Sequence, residues 1–150
     1  LFTCGNGGSG RLGLGNTTNY SSPVQVGSST NWTWWSSGQG ASAMINSAGQ
    51  LFTCGNGGSG RLGLGNTTDY SSPVQVGSLT DWKYVEVTYY GMIAVKTDGT
   101  LWSWGTGATS EGNPRNDTVA VSSPVQVGSR TNWILPVVGA NPSGAFNSAT

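Results

Sequence analysis

The residues most suggestive of chemistry are Gly5-Asn6-Gly7-Gly8-Ser9-Gly10, a G-x-G-x-x-G run that returns at Gly55–Gly60. Such a loop binds a pyrophosphate when it opens a helix whose N-terminus faces the anion. Arg-Leu-Gly-Leu-Gly follows instead, a continuation too rich in glycine for a helix, so the run reads as a turn. The acidic side chains, Asp69, Asp81, Glu86, Asp98, Glu111 and Asp117, show no close pair for acid–base work. The chain has no His, and its two cysteines, Cys4 and Cys54, lie far apart. Neither zinc-ligand spacing nor a Ser/His or Cys/His nucleophile pair can be assembled from it. The expectation is a non-enzymatic protein with no catalytic residue, metal ligand or cofactor.

Side chains suited to recognition remain. Arg11 and Arg61 recur in a loop otherwise free of charge. They can form a row of positive contacts on one rim, or they can donate to backbone carbonyls of the loop, which need donors when shielded from water. The second reading is favoured. Trp32, Trp82 and Trp133 keep their place after the words SSPVQVGS, which suits packing between repeated units. Trp34 and Trp35 are adjacent in a strand and must face opposite ways. One of them is therefore expected outside the core, and Arg11, Arg61, Trp34 and Trp35 are the candidate partner-binding residues.

These residues are placed by repetition. Leu51–Ser78 copies Leu1–Ser28 with one change, Asp69 for Asn19, and a looser copy starts at Leu101 and recovers the same words at Ser122–Ser129. A period of about fifty residues signals a modular array. The units are 1–50, 51–100 and 101–150, expected to form part of one domain and to be an excerpt of a longer chain. Each unit reads as four short strands. In the first these are Leu1–Gly5, Pro23–Gly27, Trp32–Ser37 and Ala41–Asn46, with a glycine-rich loop over Asn6–Ser22. The second offers Trp82–Thr88 and Met92–Lys96, and Lys96-Thr97-Asp98-Gly99 then predicts a type I′ hairpin into Leu101. No segment sustains a helical period.

Four strands per unit, glycine-rich connections and recurrent aromatics describe a propeller blade. A lone blade cannot bury both faces of its sheet, so stacking against neighbours is obligatory. Equivalent residues of packed sheets lie roughly 10 Å apart, beyond the ~7 Å that a disulfide spans, so Cys4 and Cys54 are expected to be buried free thiols. Charged residues make up 8% of the chain, six basic against six acidic. That balance leaves no footprint for nucleic acid or an anionic membrane, and no window is long and apolar enough to span one. Sequons at Asn16, Asn19, Asn31, Asn66 and Asn116 matter only in a secreted eukaryotic protein.

The units resemble the repeats of the regulator of chromosome condensation (RCC1) family, which run roughly LWxWGxNxxGQLGLGDTxxxxxPxxV…W…V…AGxxHTxALxxDG. The resemblance is carried by Leu1–Pro23, Leu51–Pro73 and Trp82–Gly105, including AVKTDGTLWSWG. It implies an all-β fold, an RCC1-like β-propeller, here as three four-stranded blades of an incomplete ring of about seven. The family's histidine falls on Ala41, Gly91 and Pro142, and the aromatic of its WG pair is Cys4 and Cys54 in two repeats. The third repeat has Ser110–Arg115 in place of GQLGLGD, and its last strand, Gly139–Phe146, carries Pro142. The scaffold is thus inherited and the functional residues of family members are not.

The functional expectation is a structural or binding module on a virion or cell surface, meeting a protein or glycan partner through rim loops. Further blades, from the same chain or other subunits, would close the ring. Two alternatives come from other classes. One is a guanine-nucleotide exchange factor for a small GTPase, as the family name implies; the other is a propeller inhibitor of a secreted enzyme.

Overall fold

The computed structural model describes residues 1–106, 114–115, 118–138 and 143–147. Within them the chain forms twelve strands and two single turns of 3₁₀-helix. The strands are β1 (Phe2–Gly5), β2 (Tyr20–Gln25), β3 (Trp32–Ser37), β4 (Ala41–Asn46), β5 (Leu51–Gly55) and β6 (Tyr70–Gln75). They continue as β7 (Trp82–Val87), β8 (Gly91–Lys96), β9 (Leu101–Gly105), β10 (Val121–Gln126), β11 (Trp133–Val138) and β12 (Ser143–Asn147). Glu111, Asn116, Asp117 and Pro142 lie outside the described residues, as do Ser110–Asn113 of the third repeat's divergent segment.

The strands assemble as antiparallel meanders, β3-β4-β5-β6 and β7-β8-β9-β10, flanked by the pairs β1-β2 and β11-β12. The blades are therefore offset from the sequence repeats by half a unit. Each complete blade takes its two inner strands from one repeat and its two outer strands from the next. Three four-stranded blades were expected; the described residues form two, plus an outer pair at one end and an inner pair at the other. β7 packs on β3 and β4, and β11 packs on β7 and β8, so successive blades stack face to face in an arc of a propeller. The pairs β1-β2 and β11-β12 each lack two strands of a full blade, and further strands are required to complete the ring.

Stacking explains the burial. Every residue of β4 and β8 is buried, because both faces of these second strands are covered. Ala43 and Ile45 turn toward Val85 and Val87 of the next blade in one apolar cluster. Their counterparts Ile93 and Val95 turn toward Trp133. The outermost strand is where proline is tolerated, since one edge needs no ladder donor. β2 and β6 start three residues before Pro23 and Pro73, and a break in register between Thr53 and Gly55 accommodates the Pro.

The turn ahead of β9 differs from the type I′ expectation. Gly99 N–H donates to Lys96 O at 3.0 Å and Lys96 N–H to Thr100 O at 3.1 Å, and only Gly99, at φ +78°, is left-handed. This is a type I turn followed by a glycine bulge, in which Asp98 need not adopt positive φ. Asp98 instead accepts from the Thr100 hydroxyl at 2.7 Å and its N–H at 2.9 Å, which holds its carboxyl below the ordinary value. The same turn recurs at Asn46–Gln50.

Candidate partner-binding rim

The two G-x-G-x-x-G loops fold alike. Gly8–Gly10 and Gly58–Gly60 each make one 3₁₀ turn, with Ser9 and Ser59 at φ +56° and +58°. The turn opens no α-helix, so the loop lacks the geometry that a bound pyrophosphate uses. Asn6 Oδ1 accepts from Gly8 N–H at 2.8 Å, and Gly7 N–H donates to Asn19 Oδ1 at 2.9 Å. In the second loop Asp69 Oδ1 accepts from Gly57 N–H, also at 2.9 Å. The one substitution between the 28-residue copies thus preserves the acceptor that closes the loop.

Each loop leans on the blade that follows it. A Cβ at Gly60 would stand 2.5 Å from Ser122 Cα, and at Gly63 2.7 Å from Trp104 Nε1. Glycine is needed there for close approach as well as for its positive φ. Ser42 Oγ donates to Arg11 O at 2.8 Å from the neighbouring blade.

Arg11 and Arg61 hold this rim together through backbone carbonyls, as favoured above. Arg11 Nε donates to Gly8 O at 3.0 Å within its own loop, while Nη1 donates to Gln39 O at the β3–β4 hairpin tip of the next blade. Arg61 repeats the pattern, Nε to Gly58 O at 3.0 Å and Nη1 to Tyr89 O at 3.2 Å. Both arginines line one open cavity of about 390 Å³, together with Gln39, Tyr89 and Tyr90. Along the rim the order is Arg11, the Gln39-Gly40 tip, Arg61, the Tyr89-Tyr90 tip.

The tryptophans divide as their adjacency requires. Trp34 faces the following blade, donating its indole N–H to Val85 O at 2.7 Å and meeting Tyr84 edge-on at 4.7 Å. Trp35 faces the other way and lines a cavity with Phe2, Cys4 and Leu12 beside the β1-β2 pair. In the next two repeats its position is held by Val85 and Pro136, both buried. Trp82 packs against Trp102 and Trp104 in the core, as repeat phase predicts.

Both cysteines are free, but only Cys54 is buried. Cys4 is exposed, contrary to expectation, because β1 has no inner neighbour while β5 is flanked by β4. Burial pushes the Cys54 thiol up to about 12. Among the described residues no three His, Cys, Asp or Glu side chains are grouped to hold a metal, and no helix is long and apolar enough to cross a membrane.

Sequence reasoning missed Tyr89 and Tyr90. Tyr89 is 47% exposed, its ring meets Tyr90 at 4.2 Å, and the Arg61 guanidinium carbon sits 5.2 Å from the Tyr90 centroid. The signal was legible: two aromatics side by side at a hairpin tip where the first repeat has Gln39-Gly40.

Comparison with known proteins gives one consistent picture. The Regulator of chromosome condensation (RCC1) repeat pattern matches residues 1–45 and 48–95. Among curated proteins, no sequence matches significantly. Human WBSCR16 superposes with a TM-score of 0.77 at 22% identity, covering 97% of this chain and 39% of that one. Prp20p of Saccharomyces cerevisiae gives 0.71 at 18% identity, covering 93% of this chain and 38% of that one. Yeast RCC1 (Prp20) bound to Kap60 gives 0.72 at 16%, covering 99% and 38%. The chain spans under two fifths of each of these propellers. With matching repeats over more than half its length, blades stacked in an arc and glycine-rich loops bridging them, the chain belongs to the RCC1 repeat family.

Proposed function

We infer that this is a non-enzymatic binding module which presents the rim of hairpin tips and glycine-rich loops to a protein partner. The observation that carries the reading is the row Arg11, Gln39, Arg61, Tyr89, Tyr90. Constant loops buttress variable tips there, and the largest exposed aromatic of a complete blade sits among them. Tyrosine and arginine supply much of the energy at protein interfaces. One similar propeller, yeast Prp20, is described in one structure by its binding to Gsp1p and histones and in another by its complex with Kap60. Protein partners are thus at home on this scaffold, and a protein is preferred here to a glycan. The low charge and the Ser, Thr, Asn and Gly-rich loops support a place on a virion or cell surface.

The test is site-specific photo-crosslinking in the intact protein that carries these repeats. A photoreactive residue at Gln39 should capture a partner, whereas one at Ala48, on the opposite rim, should not. Equal capture at both rims, or at neither, defeats the reading.

A further inference from the structure

We propose that the grooves between the outer strands of successive blades are binding sites for a neutral saccharide. They share no lining residue with the rim cavity of Arg11 and Arg61, so the proposal goes beyond the rim reading and does not depend on it.

Three observations carry it. The first is recurrence of shape. A cavity of about 500 Å³ opens between the β1-β2 pair and the β3–β6 blade, and one of about 390 Å³ between that blade and the next. Both have the size of a small-molecule site, roughly 300–1,000 Å³. Equivalent residues line them, with Tyr20 or Tyr70 on one wall and Pro73 or Pro124 on the other.

The second is a repeated donor without an acceptor. Trp32, Trp82 and Trp133 hold one position in the three repeats, and each buries an indole N–H that has no hydrogen-bond partner among the described residues. Trp32 lines the first groove, and Trp82, only 2% exposed, lines the second. Trp34, by contrast, donates to Val85 O. Buried donors in folded proteins are paired in the large majority, so a donor left over at the same place in every repeat marks a site for an acceptor. A sugar hydroxyl is one, and it brings a donor of its own.

The third is the character of the walls. Trp32 meets Phe52 edge-on at 5.4 Å, and Trp82 meets Trp102 at 5.9 Å. Phe52 and Trp102 are partly exposed. Beside the rings stand the amide of Gln25 or Gln75 and the hydroxyl of Ser72 or Ser123. Among the described residues no charged side chain lines either groove. Rings that accept the C–H face of a pyranose, next to neutral groups that pair with its hydroxyls, suit an uncharged sugar. A proline-rich peptide also uses aromatic grooves, but its prolines carry no N–H to meet the amide and hydroxyl oxygens here.

The experiment probes an array of neutral oligosaccharides of glucose, mannose, galactose and N-acetylglucosamine with the intact protein, with sialylated glycans and decaproline as controls. At least one neutral glycan should bind, and about 1 M salt should leave its signal unchanged, because no charge faces the ligand. A diazirine derivative of that glycan, mapped by mass spectrometry after irradiation, should label Tyr20–Ser29 or Tyr70–Leu79, which border the grooves. Ser72→Leu with Ser123→Leu fills both grooves from exposed strand positions and should cut that labelling roughly tenfold. No neutral glycan bound, tighter binding of decaproline or of a sialylated glycan, or labelling that the serine variants leave unchanged overturns the proposal. None of these results bears on capture at Gln39, so the rim reading is decided by its own crosslinking test.

Discussion

Trp34 reaches fifty-one residues along the chain to donate its indole N–H to the carbonyl of Val85 at 2.7 Å. The bond joins the inner strand of one blade to the inner strand of the next, where backbone pairing does not reach. It is reinforced one residue pair away, where Ser36 Oγ donates to Glu86 at 2.7 Å and accepts from Val87 N–H at 3.0 Å. Blade stacking is thus polar as well as apolar. Trp34→Phe keeps most of the apolar area but strands the carbonyl, so stability to urea should fall by about 1–3 kcal/mol. An unchanged midpoint would show that the bond contributes nothing.

Glycine is required where loop meets blade. Gly60→Ala drives a methyl to within 2.5 Å of the Ser122 backbone at a φ of +71°. Gly77→Ala meets open space at a similar φ of +60°. The second should cost about 1–2 kcal/mol, the left-handed penalty alone, and the first clearly more. Thermal unfolding of the two variants side by side measures the difference.

Lys96 is nearly buried over the rings of Trp82 and Trp102, at 4.8 and 4.2 Å, and pairs with Asp81 at 3.4 Å. Asp81→Asn removes the partner of a desolvated ammonium and should cost about 1–3 kcal/mol. The first repeat has Asn31 and Asn46 at the equivalent positions. Asp81→Asn with Lys96→Asn should therefore be less destabilised than the sum of the single changes. A double-mutant cycle by chemical denaturation reads this coupling, and additivity would refute it.

The cysteines separate by environment. In a polypeptide of these residues, iodoacetamide near neutral pH should modify exposed Cys4 and spare Cys54 until denaturant is added. The Cys54 thiol rises from its ordinary value of 9.0 to about 12 on burial, so the folded state favours the protonated form. Its stabilising effect is complete below pH 9 and is lost as pH rises toward 12, at about 1.4 kcal/mol per pH unit. The pH slope between Cys54→Ala and the unaltered protein should show this difference above pH 9 and none below it.

Repetition made the strands and the family legible, because each unit carries its turns and its alternation in the same places. The offset between blade and repeat was hidden. A repeat fixes which segments are equivalent and leaves open which ones share hydrogen bonds. The clue lay in Lys96–Leu101, where a tight turn joins the end of one unit to the start of the next and so keeps β8 and β9 in one sheet. The carbonyl role of Arg11 and Arg61 followed from orphan acceptors in an uncharged loop. The exposure of Cys4 did not, since it depends on which neighbour a strand has. Tyr89 and Tyr90 stand where the repeats part, at a tip that reads Gln39-Gly40 in the first unit, so repetition alone does not mark them.

The most direct test of the account is a near-atomic reconstruction of the intact protein in its assembly with a bound partner. The account predicts partner density over Arg11, Arg61, Tyr89 and Tyr90, on the rim of the β3–β4 and β7–β8 hairpins. A partner seated on the opposite rim, around Ala48 and Asp98, would contradict it.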